Sequence, residues 1–326
     1  MLKSLDLIGA IELAYDRSHD EGTWLAEVTR TIAPAYSSNG SPVTSYVFDL
    51  RSEHAVDLGT AVMEGDDHPY KREAYERAHE IGGQRVPIAR VYDCDPYTLL
   101  SRVVGDAFAQ EALRGSGMTG EDVVGLRANA TPASGVLFAA HVAARHRLSR
   151  RDVWTRFAAH LGTALRLRRS AQEASPDTAP AVLLPNGRLE HGSAEAVASA
   201  SALSGAAKAI DRARGKMRRL DPEAAAELWR TMVRGEWSLV DWYDHDGKRF
   251  LLAQENRIKG PTKRALTRRE EQVVACAAMG HSNKLIAYDL GLSTGTVSVL
   301  LGRAARKLGV SGRVALVRVF REIYRA

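Results

Sequence analysis

The sequence predicts a multidomain chain: two N-terminal α/β modules followed by an all-α domain of four helices. Three observations lead there. The 326 residues exceed one ordinary domain, since about 100–200 residues per domain is usual. Strand and helix patterns alternate to about residue 256 and then give way to helical periodicity alone. Charge divides at the same place. Residues 259–326 carry 13 Lys/Arg and 4 Asp/Glu, a net of +9, while the rest carries 32 and 35, a net of −3. Clustered positive charge on a small domain is the electrostatic footprint of a polyanion binder.

The composition, 45% hydrophobic and 26% charged, is that of a soluble globular protein able to bury a normal core. No run approaches the ~18 apolar residues that span a membrane. The N-terminal stretch, with Asp6, Glu12 and Asp16 spaced along it, reads as an amphipathic helix and not as a signal peptide. The two cysteines, Cys94 and Cys276, are far apart, so neither a disulfide scaffold nor a cysteine-built zinc site is expected. These features point to a cytoplasmic protein without membrane contact.

In the first module, residues 1–173, helices are predicted over 2–18 and 21–36, the second with Trp24, Leu25, Val28 and Ile32 on one face. PVTSYVFDL and AVDLGTAVME read as strands. A helical pattern spans His68 to Ile81 and is broken by Gly82–Gly83 and Pro87. EDVVGLRAN and SGVLFAAHV form a second strand pair, and Leu148 to Glu173 closes the module as one long helix with Val153, Phe157, Leu161, Ala164 and Leu165 on its apolar stripe. ASPDTAP is a linker.

The second module, residues 180–256, opens with a hairpin around Asn186–Gly187. An Ala-rich helical stretch runs from Ser193 to about Leu220, and Asp221–Pro222 starts a new helix with Asp as N-cap. A second hairpin turns at Asp246–Gly247. The basic stretch Lys208 to Arg219 reads as a solvated face, with an aid to DNA binding as the alternative, and Asp241 and Asp244–His245–Asp246 read as hairpin residues. His141, His146 and His160 read as packed or solvated and not as ligands. RIKGPTKRAL links to the last domain, residues 265–326.

There four helices are expected. Thr267 with Glu270 three residues on is a capping box, and Gly280 stops the first helix. Ser282 caps the second, which ends at Leu290–Gly291, and Ser293 caps the third, which runs to Leu308. The fourth covers Val314 to Tyr324. The second and third, joined by a short Gly-containing turn, make a helix-turn-helix. Val297, Leu301, Ala304 and Leu308 form the core stripe of the third helix, leaving Ser298, Val299, Gly302, Arg303 and Arg306 on the outer face.

The segment from Ala265 to Val317 resembles the LuxR-type helix-turn-helix of bacterial transcription regulators. The matching landmarks are Leu266-Thr267 with Glu270, Gly280, Ser282-Asn283-Lys284, Ile286-Ala287, Leu290, Ser293, Thr296-Val297, Leu301 and Lys307-Leu308-Gly309-Val310. The resemblance implies a third helix in the major groove. It places Ser298 and Val299 at the usual base-contacting pair, Gly302 and Arg303 on the next turn, and Lys307 at the helix end near the backbone; Thr296 and the outer-face Arg306 are counted with them as DNA-binding candidates. Asn283 and Lys284, at the start of the second helix, are placed to meet phosphate. The chain departs from the family where Lys is usual and Ser298 stands, where His is usual and Leu300 stands, and where Glu is common and Leu285 stands. Ser and Val lack the bidentate guanine contact worth ~1–3 kcal/mol, so a different base code is expected.

The upstream modules lack the acidic cluster and phosphoacceptor pattern of a receiver, so control by phosphorylation is not expected. Residues 1–173 loosely resemble a GAF-type sensor domain and residues 180–256 a short PAS-like module; both imply ligand binding or dimerisation. The pattern of an acyl-lactone binder is not visible. No P-loop, nucleophile elbow, zinc-protease or dinucleotide motif occurs, so neither catalysis nor a cofactor is expected. The expected activity is sequence-specific binding of double-stranded DNA by a homodimer that acts indirectly on RNA polymerase, with an unknown small-molecule ligand as a possible partner. The dimer contact is expected at the helix Leu148–Glu173 or at Val314, Val317, Phe320 and Tyr324. The alternatives are a sigma-like initiation factor, which TVSVLLGRAARKL also resembles, and a small-molecule sensor whose DNA binding is secondary.

Overall fold

The computed structural model describes residues 6–37, 41–49, 61–65, 95–116, 120–131, 134–143, 146–170, 175–233, 237–256, 266–308, 310 and 312–325. The helical pattern expected over 68–81 and the Gly-Pro linker fall outside them.

The first α/β region opens with α1 (Leu7–Tyr15) and α2 (Glu21–Tyr36), capped by Asp6 and Asp20, whose carboxylates accept from Gly9 and Thr23 N–H. Strands β1 (Val43–Asp49), β2 (Val62–Glu64), β3 (Tyr97–Leu99), β4 (Asp122–Thr131) and β5 (Ser134–Val142) form an antiparallel sheet in the order β2-β1-β5-β4-β3. Of the segment AVDLGTAVME, only β2 is described as strand. Two short helices, α3 (Leu100–Val104) and α4 (Asp106–Ser116), follow β3; neither they nor β3 was expected. The closing helix α5 (Arg151–Ser170) packs against β4 and α1.

The side chains that hold this region together have the pattern the sequence suggested. Trp24, Leu25, Val28 and Ile32 of α2 are buried, and so are Phe157, Leu161, Ala164 and Leu165 of α5. Two of the buried polar side chains show how such groups are satisfied here. Trp24 donates its indole N–H to the Ala14 carbonyl at 2.9 Å, and the Thr29 hydroxyl meets Ser45 at 2.6 Å.

The second region carries β6 (Ala181–Leu183), β7 (Leu189–Gly192), β8 (Trp237–Tyr243) and β9 (Arg249–Glu255) in the antiparallel order β7-β6-β9-β8. Gly187 and Gly247 adopt φ of 85° and 75° at the two hairpin turns, conformations in which a side chain is strained. The helical stretch expected as one element is broken. It comprises α6 (Ala194–Ala198), α7 (Ala200–Arg212), a π-helical turn over Ala213–Met217 and a last turn over Arg218–Leu220. The break falls at Gly215, with φ −76° and ψ −145°. Asp221 then caps α8 (Pro222–Val233), accepting from Ala224 N–H at 3.0 Å.

The two regions share one apolar core, which runs from Leu7 and Trp24 through Leu161 to Leu183, Trp229 and Leu251. Tyr15 stacks on Trp229 at 6.1 Å. Above that contact Arg214 and Arg218 of the broken helix pair with Glu12, both at 2.9 Å, and Arg214 also reaches Asp241. The basic stretch 208–219, expected as a solvated face, thus supplies cations to the junction. No single helix among the described residues is long and apolar enough to cross a membrane.

The last domain has its own core, built from α9 (Arg268–Ala278), α10 (Asn283–Leu290), α11 (Thr294–Lys307) and α12 (Gly312–Arg325). Val317 and Phe320, expected at a dimer contact, are only 8% and 5% exposed and belong to this core. An amphipathic helix in a small domain buries its apolar stripe within the domain, and Val314, at 84% exposure, is left outside. Nothing is described of the Tyr324 side chain.

Candidate nucleic-acid interface

Local chemistry sets the helix boundaries. Thr267 accepts from Glu270 N–H, and Glu270 accepts from Thr267 N–H at 2.8 Å, closing the capping box on α9. Gly280, at φ 81°, turns the chain out of α9. The Ser282 hydroxyl caps α10 by accepting from Leu285 N–H. Gly291 ends α10 in the left-handed conformation, and Ser293 caps α11 by accepting from Thr296 N–H. Helices α10 and α11 are bent from one another by 103°, within the ~90–120° of DNA-binding helix pairs.

Val297, Leu301, Ala304 and Leu308 point into the core, as their spacing required. Thr296, Ser298, Val299, Gly302, Arg303, Arg306 and Lys307 are exposed on α11, and Lys284 is exposed at the start of α10. Neither Arg303 nor Arg306 forms an ion pair among the described residues. Their guanidinium groups are therefore available to an anion.

Three of the expected contact residues are engaged within the domain. The Ser298 hydroxyl donates to the Thr294 carbonyl at 3.1 Å and accepts from Asn283 Nδ2 at 3.0 Å. The Asn283 Oδ1 accepts from Arg313 Nη1 at 2.7 Å, and Arg313 also donates to the His281 carbonyl. This relay joins α10, α11 and α12 and fixes the orientation of Ser298. One acceptor lone pair of that hydroxyl is left for a base edge. Lys307, in turn, donates to the buried Glu270 carboxylate at 2.7 Å. Burial raises the Glu270 carboxyl, but the bonds from Lys307 and Thr267 outweigh it and hold the group below its ordinary value.

The face opposite the reading surface docks on the N-terminal region. Arg127 of β4 donates to the Met279 carbonyl at 2.8 Å, placing a cation at the negative end of α9. His160 of α5 is fully buried between Tyr15, with Nδ1 to Oη 3.4 Å, and Tyr288 of α10, with Nε2 to Oη 3.5 Å. Burial, and then the charge of Arg156, lower its pKa to about 3, so it is neutral. Arg156 itself lies over the Tyr288 ring at 5.4 Å. The sequence reading of His160 as a packed residue agrees with this; its contact with another domain carries no sequence signal.

Residues 264–320 match the family described as bacterial regulatory proteins, luxR family. They form a LuxR-family helix-turn-helix domain. Over 67 residues the chain is also 42% identical to the HTH-type transcriptional activator RamA of Corynebacterium glutamicum, a match covering 21% of this chain. The chain thus spans about a quarter of the length of that curated relative, 23%. The family match covers α9, α10 and α11 and reaches into α12.

One cluster in the LuxR-type domain was missed by the sequence reading, which expected no metal-binding group. Cys276 of α9, His281 after it and Asp289 of α10 bring one ligand atom each within 4.8 Å of one another. Cys276 and His281 are five positions apart and Asp289 lies in the next helix, so no compact motif announces the group.

Proposed function

We propose that the chain is a sequence-specific, DNA-binding transcriptional regulator whose LuxR-type domain reads the major groove through α11. The observation that carries this reading is the exposed face of that helix. It offers Arg303 and Arg306 without partners among the described residues, beside Ser298 and Val299, on a helix pair bent by 103°. Lys284, Arg303 and Arg306 make phosphate contacts, which position without specifying. Val299, 53% exposed, meets a thymine methyl, and Ser298 offers its remaining lone pair to a donor on a base. Asn283 contributes by holding Ser298, and Lys307 sits at the helix end with part of its charge balanced by Glu270.

In this reading the α/β regions sense a signal or dimerise, and the location is the bacterial cytoplasm, where duplex DNA and RNA polymerase are found. The antiparallel order β2-β1-β5-β4-β3, with helices packed on it, supports the GAF-like assignment of the first region. The hairpin-flanked second sheet supports the PAS-like one. A dimer would set two reading helices in successive major grooves and demand an imperfect palindrome with half-sites about 10 bp apart. Selection of bound duplexes from a random pool at fixed salt tests both points. An enriched palindrome is expected, and a pool that stays random after selection overturns the reading.

A specific observation favours a sensory role. A cleft of about 760 Å³ lies between the α1–α2 loop and the β8–β9 hairpin, with Tyr15, Arg17, Arg214, Trp242 and Arg249 on its walls. Its size falls in the ~300–1,000 Å³ range of small-molecule sites. A ligand there would bear on the Arg214 pairs that join the two α/β regions.

A further inference from the structure

Beneath the surface where the LuxR-type domain meets β4 and α5 lies a cavity of about 30 Å³. That volume admits one atom-sized occupant, since a water needs roughly 10–15 Å³ on the same measure. Cys276, His281 and Asp289 line it from one side and Asn129 and Thr163 from the other. The first three are 3%, 7% and 5% exposed. His281 Nδ1 and Asp289 Oδ2 are 2.7 Å apart.

Two groups on this cavity lack partners. Asn129 is 5% exposed, yet neither its amide oxygen nor its amide nitrogen has a hydrogen-bond partner. The second carboxylate oxygen of Asp289, Oδ1, is equally bare. Buried polar atoms left unsatisfied cost about 1–3 kcal/mol each, so the two bare oxygens among them, Asn129 Oδ1 and Asp289 Oδ1, point to an occupant that binds oxygen. A water would satisfy some of them. The hydrogen bond between His281 Nδ1 and Asp289 Oδ2 accounts for that pair but not for the Cys276 thiol within 4.8 Å of both.

We propose that Cys276, His281 and Asp289 bind a single zinc-type divalent ion, with Asn129 facing its fourth position from across the domain junction. Thiolate and imidazole are the ligands that select zinc over the hard cations. A tetrahedral zinc ion holds neighbouring N and O ligands about 3.3 Å apart, and S to N or O about 3.6 Å apart, from bond lengths of about 2.0–2.3 Å. The ligand atoms here are separated by 2.7 Å at the His281–Asp289 edge and by no more than 4.8 Å elsewhere. Side-chain adjustments of about 1 Å therefore seat the ion. One thiolate and one carboxylate neutralise its two charges, so Arg166 on the same cavity wall faces no net positive charge. A role for Cys276 as a redox-active thiol fits less well. Cys276 is 3% exposed within the domain core, whereas reactive thiols are accessible. The ion goes beyond the DNA-binding reading and does not depend on it: it ties α9 to α10 at the face that meets β4.

The test is a titration of the metal-free, full-length chain with Co²⁺ in the absence of DNA, followed by displacement with Zn²⁺. The expected result is one Co²⁺ per chain with a thiolate-to-cobalt charge-transfer absorption, lost on adding Zn²⁺. Cys276→Ala should abolish that absorption, and Asp289→Asn should weaken binding by about tenfold or more. Circular dichroism of both variants checks that they fold, and either one alone decides the matter. Absence of the absorption in the natural protein, or variants that titrate like it, would overturn the site. Because the readout needs no DNA, failure of the metal site and failure of the DNA-binding reading are separate outcomes.

Discussion

Replacing Glu270 with Gln should destabilise the DNA-binding domain and at the same time strengthen its grip on DNA. The carboxylate is 3% exposed and accepts from Thr267 N–H at 2.8 Å and from Lys307 at 2.7 Å. Gln keeps the shape and one neutral bond. Hydrogen bonds to a charged group contribute about 1.5–3 kcal/mol and neutral ones about 0.5–1.5, so two downgraded bonds cost about 2 kcal/mol. Lys307 is 40% exposed and regains water, which trims the loss to about 1–2 kcal/mol. The released ammonium then adds one cation beside α11, and the slope of log affinity against log salt should steepen by about 0.9. Urea unfolding of the full chain gives the first quantity, and fluorescence anisotropy with a random-sequence duplex over a salt series gives the second. A variant that loses stability and duplex affinity together, with an unchanged or flatter slope, would refute the idea that Glu270 holds Lys307 back. pH supplies a check of sign. The folded carboxyl sits below its ordinary value of 4.5, so its contribution is present above that value and is lost as pH falls through the folded pKa. The difference between the two proteins should therefore vanish in acid.

Arg303→Ala and Arg306→Ala should each weaken binding to all duplexes and flatten the salt slope by about 0.9 without changing stability by more than about 0.5 kcal/mol; a sequence-dependent loss would argue against phosphate contacts. Ser298→Ala should alter base preference at one position of the selected site more than overall affinity, and equal loss on every duplex would remove Ser298 from the reading role. His160→Gln should flatten the dependence of stability on pH. The natural residue has a folded pKa of about 3 against an ordinary 6.5, so protonation favours the unfolded chain and stability falls as pH drops from 6.5 toward 3, by up to ~1.4 kcal/mol per unit. Identical pH profiles for the two proteins would show that His160 is not held neutral.

The helix ends in the LuxR-type domain were legible because their causes are local. A Ser, Thr or Gly at a helix end acts on backbone groups within four residues, so Thr267, Ser282, Gly291 and Ser293 announce themselves. The core stripe of α11 was legible for the same reason, as a periodicity within one element. What the sequence hid was long-range. Lys307 lies 37 positions from the Glu270 it meets, and a scan for phosphate contacts assigns it to DNA. Val317 and Phe320 looked like an association surface because periodicity marks an apolar face without saying what covers it. The broken helix over 200–220 read as continuous because Ala-rich composition outweighs its two glycines, Gly205 and Gly215, in any propensity sum, whereas Gly215 sets the local geometry. β3 and α3, of three and five residues, offer too few residues for a period to emerge. At the reading face, residue types were visible but the relay from Arg313 through Asn283 to Ser298 was not. That relay turns a hydroxyl with free choice of partner into one with a fixed direction.

The docking of α9 and α10 on the N-terminal region leads to one more consequence. A lid silences a site by covering it, and here nothing covers it: Ser298, Val299, Gly302, Arg303 and Arg306 stay exposed with every described part of the chain in place. If the α/β regions sense a signal as proposed, their input would travel as pose and not as access. The junction through Arg127, His160 and Tyr288 would then be a mount that sets the angle at which α11 is presented, and a signal would change which half-site separation two joined copies tolerate while leaving the affinity for a single half-site nearly untouched.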